Sequence, residues 1–193
     1  MLGTKDMKKK NVLFLVPEQL RYDYLGCYGN TQPTSPAIDG LAERGVTFSH
    51  CYAPVAKCTP SRISVVSGRY PHTGGYMGNN TKLRPDDPNL VRCFREQGYE
   101  TMLFRKNHQM EERTLAQAYD HFFKDFNPKA MYTLHSEADH PLFRALYRGC
   151  NHAELDETMD GNVAAKVGEE LRKSRDKPFF MWVSFQDPHP PHV

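Results

Sequence analysis

Val12–Val16 (Val-Leu-Phe-Leu-Val) is apolar without a break, which predicts a strand buried on both faces of a parallel sheet. Residues 179–185 (Phe-Phe-Met-Trp-Val-Ser-Phe) repeat the pattern near the end of the chain, and residues 99–104 read as a further strand. A short strand is also expected at Val46-Thr47-Phe48. Helical signals lie between these runs. Ser35 caps and Pro36 opens a helix that turns Ile38, Leu41 and Ala42 inward and closes at Gly45. Thr59 is the expected cap of the next, with Pro60 as its first residue, Ile63, Val65 and Val66 as its apolar face and Gly68 as its stop. A helix over residues 88–97 starts behind Asp87, buries Leu90, Val91 and Phe94, and ends at Gly98. Met159, Val163, Val167 and Leu171 mark a longer amphipathic helix. Residues 125–153 show no period and read as an irregular, substrate-facing insertion.

Strands alternating with helices predict a doubly wound α/β sheet, in which ligands bind beyond the carboxyl ends of the strands. Polar residues follow those ends: Glu18 and Gln19 after the first run, Lys106 and His108 after residues 99–104, Asp187 and His189 after the last. Cys58-Thr59-Pro60-Ser61-Arg62 places a thiol at a helix mouth with an arginine one turn behind it. The free N–H groups of such a start, with Arg62, form a pocket for a sulfate or phosphate group. A capped surface helix with a buried cysteine matches that segment equally well. The joint placement of oxygen ligands, cations and imidazoles on one rim argues for a shared site.

Composition narrows the partners. The formal charge of +2 over 193 residues gives no ground for nucleic acid or an anionic membrane as partner. Lys8 to Lys10 followed by the first apolar run resemble a secretion signal only in outline, because Pro17-Glu18-Gln19 ends the run early without a cleavage site. Five cysteines (27, 51, 58, 93 and 150) lack paired spacing, so a reducing, cytoplasmic setting is expected. Residues 1–10 are expected to be a flexible lead.

With these residues in hand, the chain resembles the formylglycine-dependent sulfatases of the alkaline-phosphatase superfamily. The likeness runs from Asn11 to His189. It includes Leu25-Gly26-Cys27-Tyr28-Gly29-Asn30, Ser35-Pro36-Ala37-Ile38-Asp39, and the Cys58 to Arg62 signature running into Ser67-Gly68-Arg69-Tyr70-Pro71-His72. It continues through Gly98-Tyr99-Glu100-Thr101, Lys106-Asn107-His108 and Asp187-Pro188-His189-Pro190. The Cys-x-Pro-Ser-Arg element carries most of the specificity.

The resemblance implies an alkaline-phosphatase-like, mostly parallel sheet and hydrolysis of a sulfate ester by a formylglycine made from Cys58. Arg62 would orient that nucleophile, Lys106 and His108 would grip sulfate and move protons, and His189 would bind substrate. A divalent cation, most often calcium, with magnesium or manganese as alternatives, would be held by Glu18, Gln19 and the modified Cys58. Implied partners are a sulfated small molecule or sugar, a maturation enzyme acting on Cys58, and the remainder of the sulfatase domain. In the family the other metal ligands and a further sulfate-binding lysine come from later sequence, so residues 1–193 are expected to be the N-terminal part of a catalytic domain, inactive alone. Two positions depart from the family pattern. Glu18-Gln19 stands where two aspartates are usual, and Asn107 where tryptophan is common. Gln19 is shared with phosphonate monoester hydrolases, which keeps a phosphonate or phosphate diester hydrolase open as an alternative. Glu18 keeps open a non-catalytic anion-binding relative.

Overall fold

The computed structural model describes residues 8–32, 35–126 and 154–189. Strand β1 (Val12–Val16) leads into two short 3-10 turns. Helices α1 (Pro36–Arg44), α2 (Cys58–Ser67), α3 (Pro71–Gly74) and α4 (Leu90–Glu96) follow. Then come β2 (Glu100–Phe104), α5 (Glu112–Ala118), β3 (His121–Phe123), α6 (Met159–Arg172) and β4 (Phe179–Ser184). The four strands form one sheet in the order β1-β4-β2-β3, with every neighbouring pair parallel. Helix insertions between parallel strands and this crossover order are what the alternating pattern predicts. Among the described residues no helix is long and apolar enough to cross a membrane.

The two-residue period of a strand divides the core between the faces of the sheet. Leu103, Phe180 and Trp182 join Ile63 and Val66 of α2, Val91 of α4 and Ala118 of α5 on one face. Met102, Phe104, Met181 and Val183 join Val163 and Val167 of α6 on the other. Strands β2 and β4 therefore are buried on both faces.

Several expectations need correction. β1 is not buried on both faces: Leu13, Phe14 and Leu15 are 41%, 37% and 46% exposed. It lies at the end of the strand order and pairs only with β4 among the described residues. Residues 46–48 form no strand, since no described segment pairs with them. On α1, Ile38 and Leu41 are exposed rather than turned inward, because no described residue covers that face. Leu171 of α6 is exposed as well. Helix α2 starts at Cys58, before the expected Thr59 cap, with Lys57 at its N-cap and Gly68 ending it at a left-handed φ of 67°. Helix α4 starts at Leu90 with Asn89 as cap, its side chain accepting from the backbone N–H groups of Val91 and Arg92. That cap leaves Leu90 exposed at the first turn, while Asp87 instead accepts from the Arg84 N–H and the Tyr76 hydroxyl. Residues 127–153, most of the expected insertion, and Cys150 with them, lie outside the described residues.

Candidate active site

Three of the segments that form the site leave the sheet at the carboxyl end of a strand, and the fourth is the start of α2. β1 runs into Pro17-Glu18-Gln19, β2 into Arg105-Lys106-Asn107-His108, and β4 into the segment ending at His189. Gln19, three residues beyond β1, and Arg105, directly after β2, have left-handed φ values of 62° and 71°. Asn107, at the position where tryptophan is common in the family, closes a local turn: its amide donates to the Met110 carbonyl and accepts from the Met110 N–H. That turn presents His108 to Cys58.

At the centre, Glu18 Oε2 accepts from Arg62 Nη2 at 2.9 Å and from Lys106 Nζ at 2.8 Å. The Glu18 and Arg62 side chains are only 4% and 6% exposed. Burial pushes the Glu18 carboxyl up, but the Lys106 hydrogen bond and the Arg62 charge outweigh it and hold it below its ordinary value. Glu18 is thus an anion facing two cations, and these three groups retain one uncompensated positive charge. Ser184, at the end of β4, ties the arrangement together. Its hydroxyl accepts from Arg62 Nη1 at 2.9 Å and Trp182 Nε1 at 3.2 Å, and donates to the Lys106 carbonyl at 3.4 Å.

Cys58 occupies the first turn of α2, half-buried. Its Sγ lies 3.7 Å from His108 Nδ1 and 3.6 Å from Asn79 Oδ1. Lys82 Nζ donates to the His108 carbonyl at 2.9 Å and fixes that loop from the opposite side. Burial, with the charges of Lys106, Lys82 and Arg62, pushes the His108 imidazole down to about 4. It is therefore neutral at neutral pH. A cleft of about 640 Å³ is lined by Glu18, Gln19, Cys58, Arg62, Asn79 and His189, among others. A larger hollow, about 770 Å³, lies at the amino ends of the strands around Glu100, Lys166 and Arg175, far from this chemistry.

The structure thus brings together Glu18, Gln19, Cys58, Arg62, Lys106, His108 and His189. Sequence reasoning missed Ser184, Asn79 and Lys82. Ser184 carried a signal, as the single polar residue in a run of buried apolar ones. Asn79 and Lys82 carried none.

Glu18 and Gln19 offer oxygen donors suited to a hard cation, and only one Glu18 oxygen is engaged by Arg62 and Lys106. Calcium takes roughly six to eight oxygens. Among the described residues no group of three or more His, Cys, Asp and Glu side chains is placed to hold a metal ion. These two residues therefore fit one side of a cation site and do not close around it.

A half-buried thiol thus faces an imidazole, beside paired cations at the carboxyl edge of a parallel sheet of alkaline-phosphatase-like fold. The family model for Sulfatase matches residues 10–193, and the chain belongs to that family. It is 38% identical over 106 residues to an ulvan-active sulfatase of Formosa agariphila, a match covering 54% of this chain and 21% of the relative. The crystal structure of Ps i-CgsB in complex with k-i-k-neocarrahexaose superposes with a TM-score of 0.71 at 21% identity, over 95% of this chain and 46% of that one. The phosphonate monoester hydrolase of Agrobacterium radiobacter gives a TM-score of 0.66 at 22% identity, over 95% and 42%. At these identities the two structural likenesses are of fold alone. The chain spans about a fifth of the length of the ulvan-active relative and less than half of either structure.

Proposed function

We propose that the protein carrying this chain hydrolyses the sulfate ester of a sulfated sugar, with Cys58 as the precursor of its nucleophile. The observation that carries the proposal is the position of Cys58 Sγ, 3.7 Å from His108 Nδ1 and at the mouth of a cleft that Arg62 and Glu18 line. The sugar class is drawn from the relative named for ulvan.

Formylglycine, made at Cys58 by a maturation enzyme, would supply a hydrated aldehyde that takes up the sulfuryl group and sheds it by re-forming its carbonyl. A divalent cation held by Glu18 and Gln19, with calcium as the first choice, would supply Lewis-acid polarisation of the transferred oxygens. The remaining work falls to side chains in the described structure. Arg62 and Lys106 bind the anion, and their uncompensated charge favours it most as negative charge builds up. Ser184 holds Arg62 and the Lys106 backbone in one geometry. His108, uncharged at rest, accepts a proton at the position of Cys58 Sγ and, once protonated, hands it to the leaving oxygen. His189 contacts the anion from the β4 side of the cleft.

The test is turnover of an aryl sulfate by the protein at its full natural length, produced in a host that matures such cysteines. A second reading, a phosphonate or phosphate diester hydrolase, is favoured by Gln19, and phenyl phosphonate monoester turnover in place of sulfate turnover supports it. Retained binding of inorganic sulfate without turnover of either substrate identifies a non-catalytic anion-binding relative.

A further inference from the structure

We infer that Arg105 and Asp160 are positioning residues that clamp Gln186 and thereby set where His189 stands against Cys58. This rests on the proposal above that His189 contacts the bound anion. Arg105 holds a φ of 71°, a conformation that disfavours any residue with a Cβ. Glycine would adopt it freely, so the arginine side chain must offer something in return. Its Nη1 donates to Gln186 Oε1 at 3.0 Å, joining the loop after β2 to the loop after β4. From the other side, Asp160 in the first turn of α6 accepts from two consecutive backbone N–H groups. Gln186 N reaches Asp160 Oδ1 at 2.8 Å, and Asp187 N reaches Asp160 Oδ2 at 2.8 Å.

Gln186 is the node of this clamp. Its side chain is held by Arg105, its N–H by Asp160, and its carbonyl accepts from the His189 N–H at 3.0 Å. His189 lines the cleft with Cys58, whereas Arg105, Asp160 and Gln186 do not. Any effect of the three on the bound anion therefore passes through the His189 backbone, or through Lys106, the neighbour of Arg105. The Phe185 N–H, bonded to the Val16 carbonyl at 3.0 Å, anchors the start of the same loop to β1. The loop is thus fixed to β1, to the loop after β2 and to α6, more than a solvated turn requires.

The test compares wild type, Arg105→Gly, Gln186→Ala, the double variant and Gln186→Glu in the full-length protein. Two quantities are read: kcat/KM for an aryl sulfate, and the dissociation constant for inorganic sulfate by calorimetry. Arg105→Gly and Gln186→Ala should each lower kcat/KM and weaken sulfate binding by about tenfold, the scale expected when a binding group is misplaced by a fraction of an ångström. The double variant should be no worse than the worse single one, because both remove one contact. Gln186→Glu keeps an acceptor for Arg105 and should stay near wild type. Arg105→Gly should melt no lower than wild type, since it relieves the left-handed strain. Unchanged sulfate affinity and kcat/KM in both single variants overturns the clamp, as do losses that add and follow a falling melting temperature. A wild type that binds sulfate but turns over no ester defeats the catalytic proposal while the calorimetric comparison still decides the clamp. A wild type that binds no sulfate overturns both.

Discussion

The Glu18 carboxylate and the Arg62 guanidinium, 44 residues apart in sequence, meet at 2.9 Å in a site where both side chains are almost wholly buried. Removing one member of such a pair leaves the other as an uncompensated buried charge. Glu18→Gln should lower stability by about 3–5 kcal/mol, read from denaturant unfolding of the full-length protein. Glu18→Asp keeps the charge but is one methylene shorter, and should lose less. An unfolding midpoint unchanged in Glu18→Gln contradicts this account of the pair.

Ser184→Ala removes the acceptor of Arg62 Nη1 and Trp182 Nε1 without opening a large cavity. We expect a loss of about 1–3 kcal/mol, the cost of leaving buried donors unpaired. Because Arg62 binds the anion in our account, sulfate affinity should fall with stability, whereas Ser184→Thr, which keeps the hydroxyl, should retain the affinity. Calorimetry with inorganic sulfate separates the two variants.

The pH dependence of stability has a source outside the site. Burial pushes the Asp120 carboxyl up, but hydrogen bonds from Thr101 and Arg95 outweigh it and hold it below its ordinary value. A carboxyl lowered on folding contributes stability that is complete above the unfolded value near 4 and is lost as pH falls through the folded one. The stability gap between wild type and Asp120→Asn should therefore be widest near neutrality and narrow below about pH 4. A gap that grows on acidification contradicts the assignment.

Much of the sheet was legible because parallel strands buried on both faces read as apolar runs, as residues 102–104 and 179–183 do. The same rule misled at β1, whose run is equally apolar but whose place at the end of the strand order leaves it partly exposed. Residues 46–48 have strand propensity and no pairing partner, and propensity without a ladder makes no strand. β3 was missed because three residues show no period. Around the cleft, strand ends pointed to Glu18, Lys106 and His108, and a helix start to Cys58. That Glu18 binds both Arg62 and Lys106, and that Ser184 joins three segments, depends on contacts between distant positions and leaves no trace in spacing.

Cysteine substitutions should separate chemistry from packing. Cys58→Ala should abolish sulfate ester turnover in the full-length protein, since among the described residues Cys58 is the one cysteine that lines the cleft. Cys93 is exposed on α4, and Cys93→Ala should leave turnover intact and shift stability by no more than about 0.5 kcal/mol. Parallel assays of the two variants under one set of conditions check both outcomes.

The role of Cys58 as nucleophile precursor is tested most directly by peptide mass spectrometry on protein purified in active form from a maturation-competent host. The account predicts an aldehyde in place of the thiol at Cys58, with Cys27, Cys51, Cys93 and Cys150 still thiols. A Cys58 thiol left unmodified throughout a preparation that hydrolyses sulfate esters at full rate would contradict it.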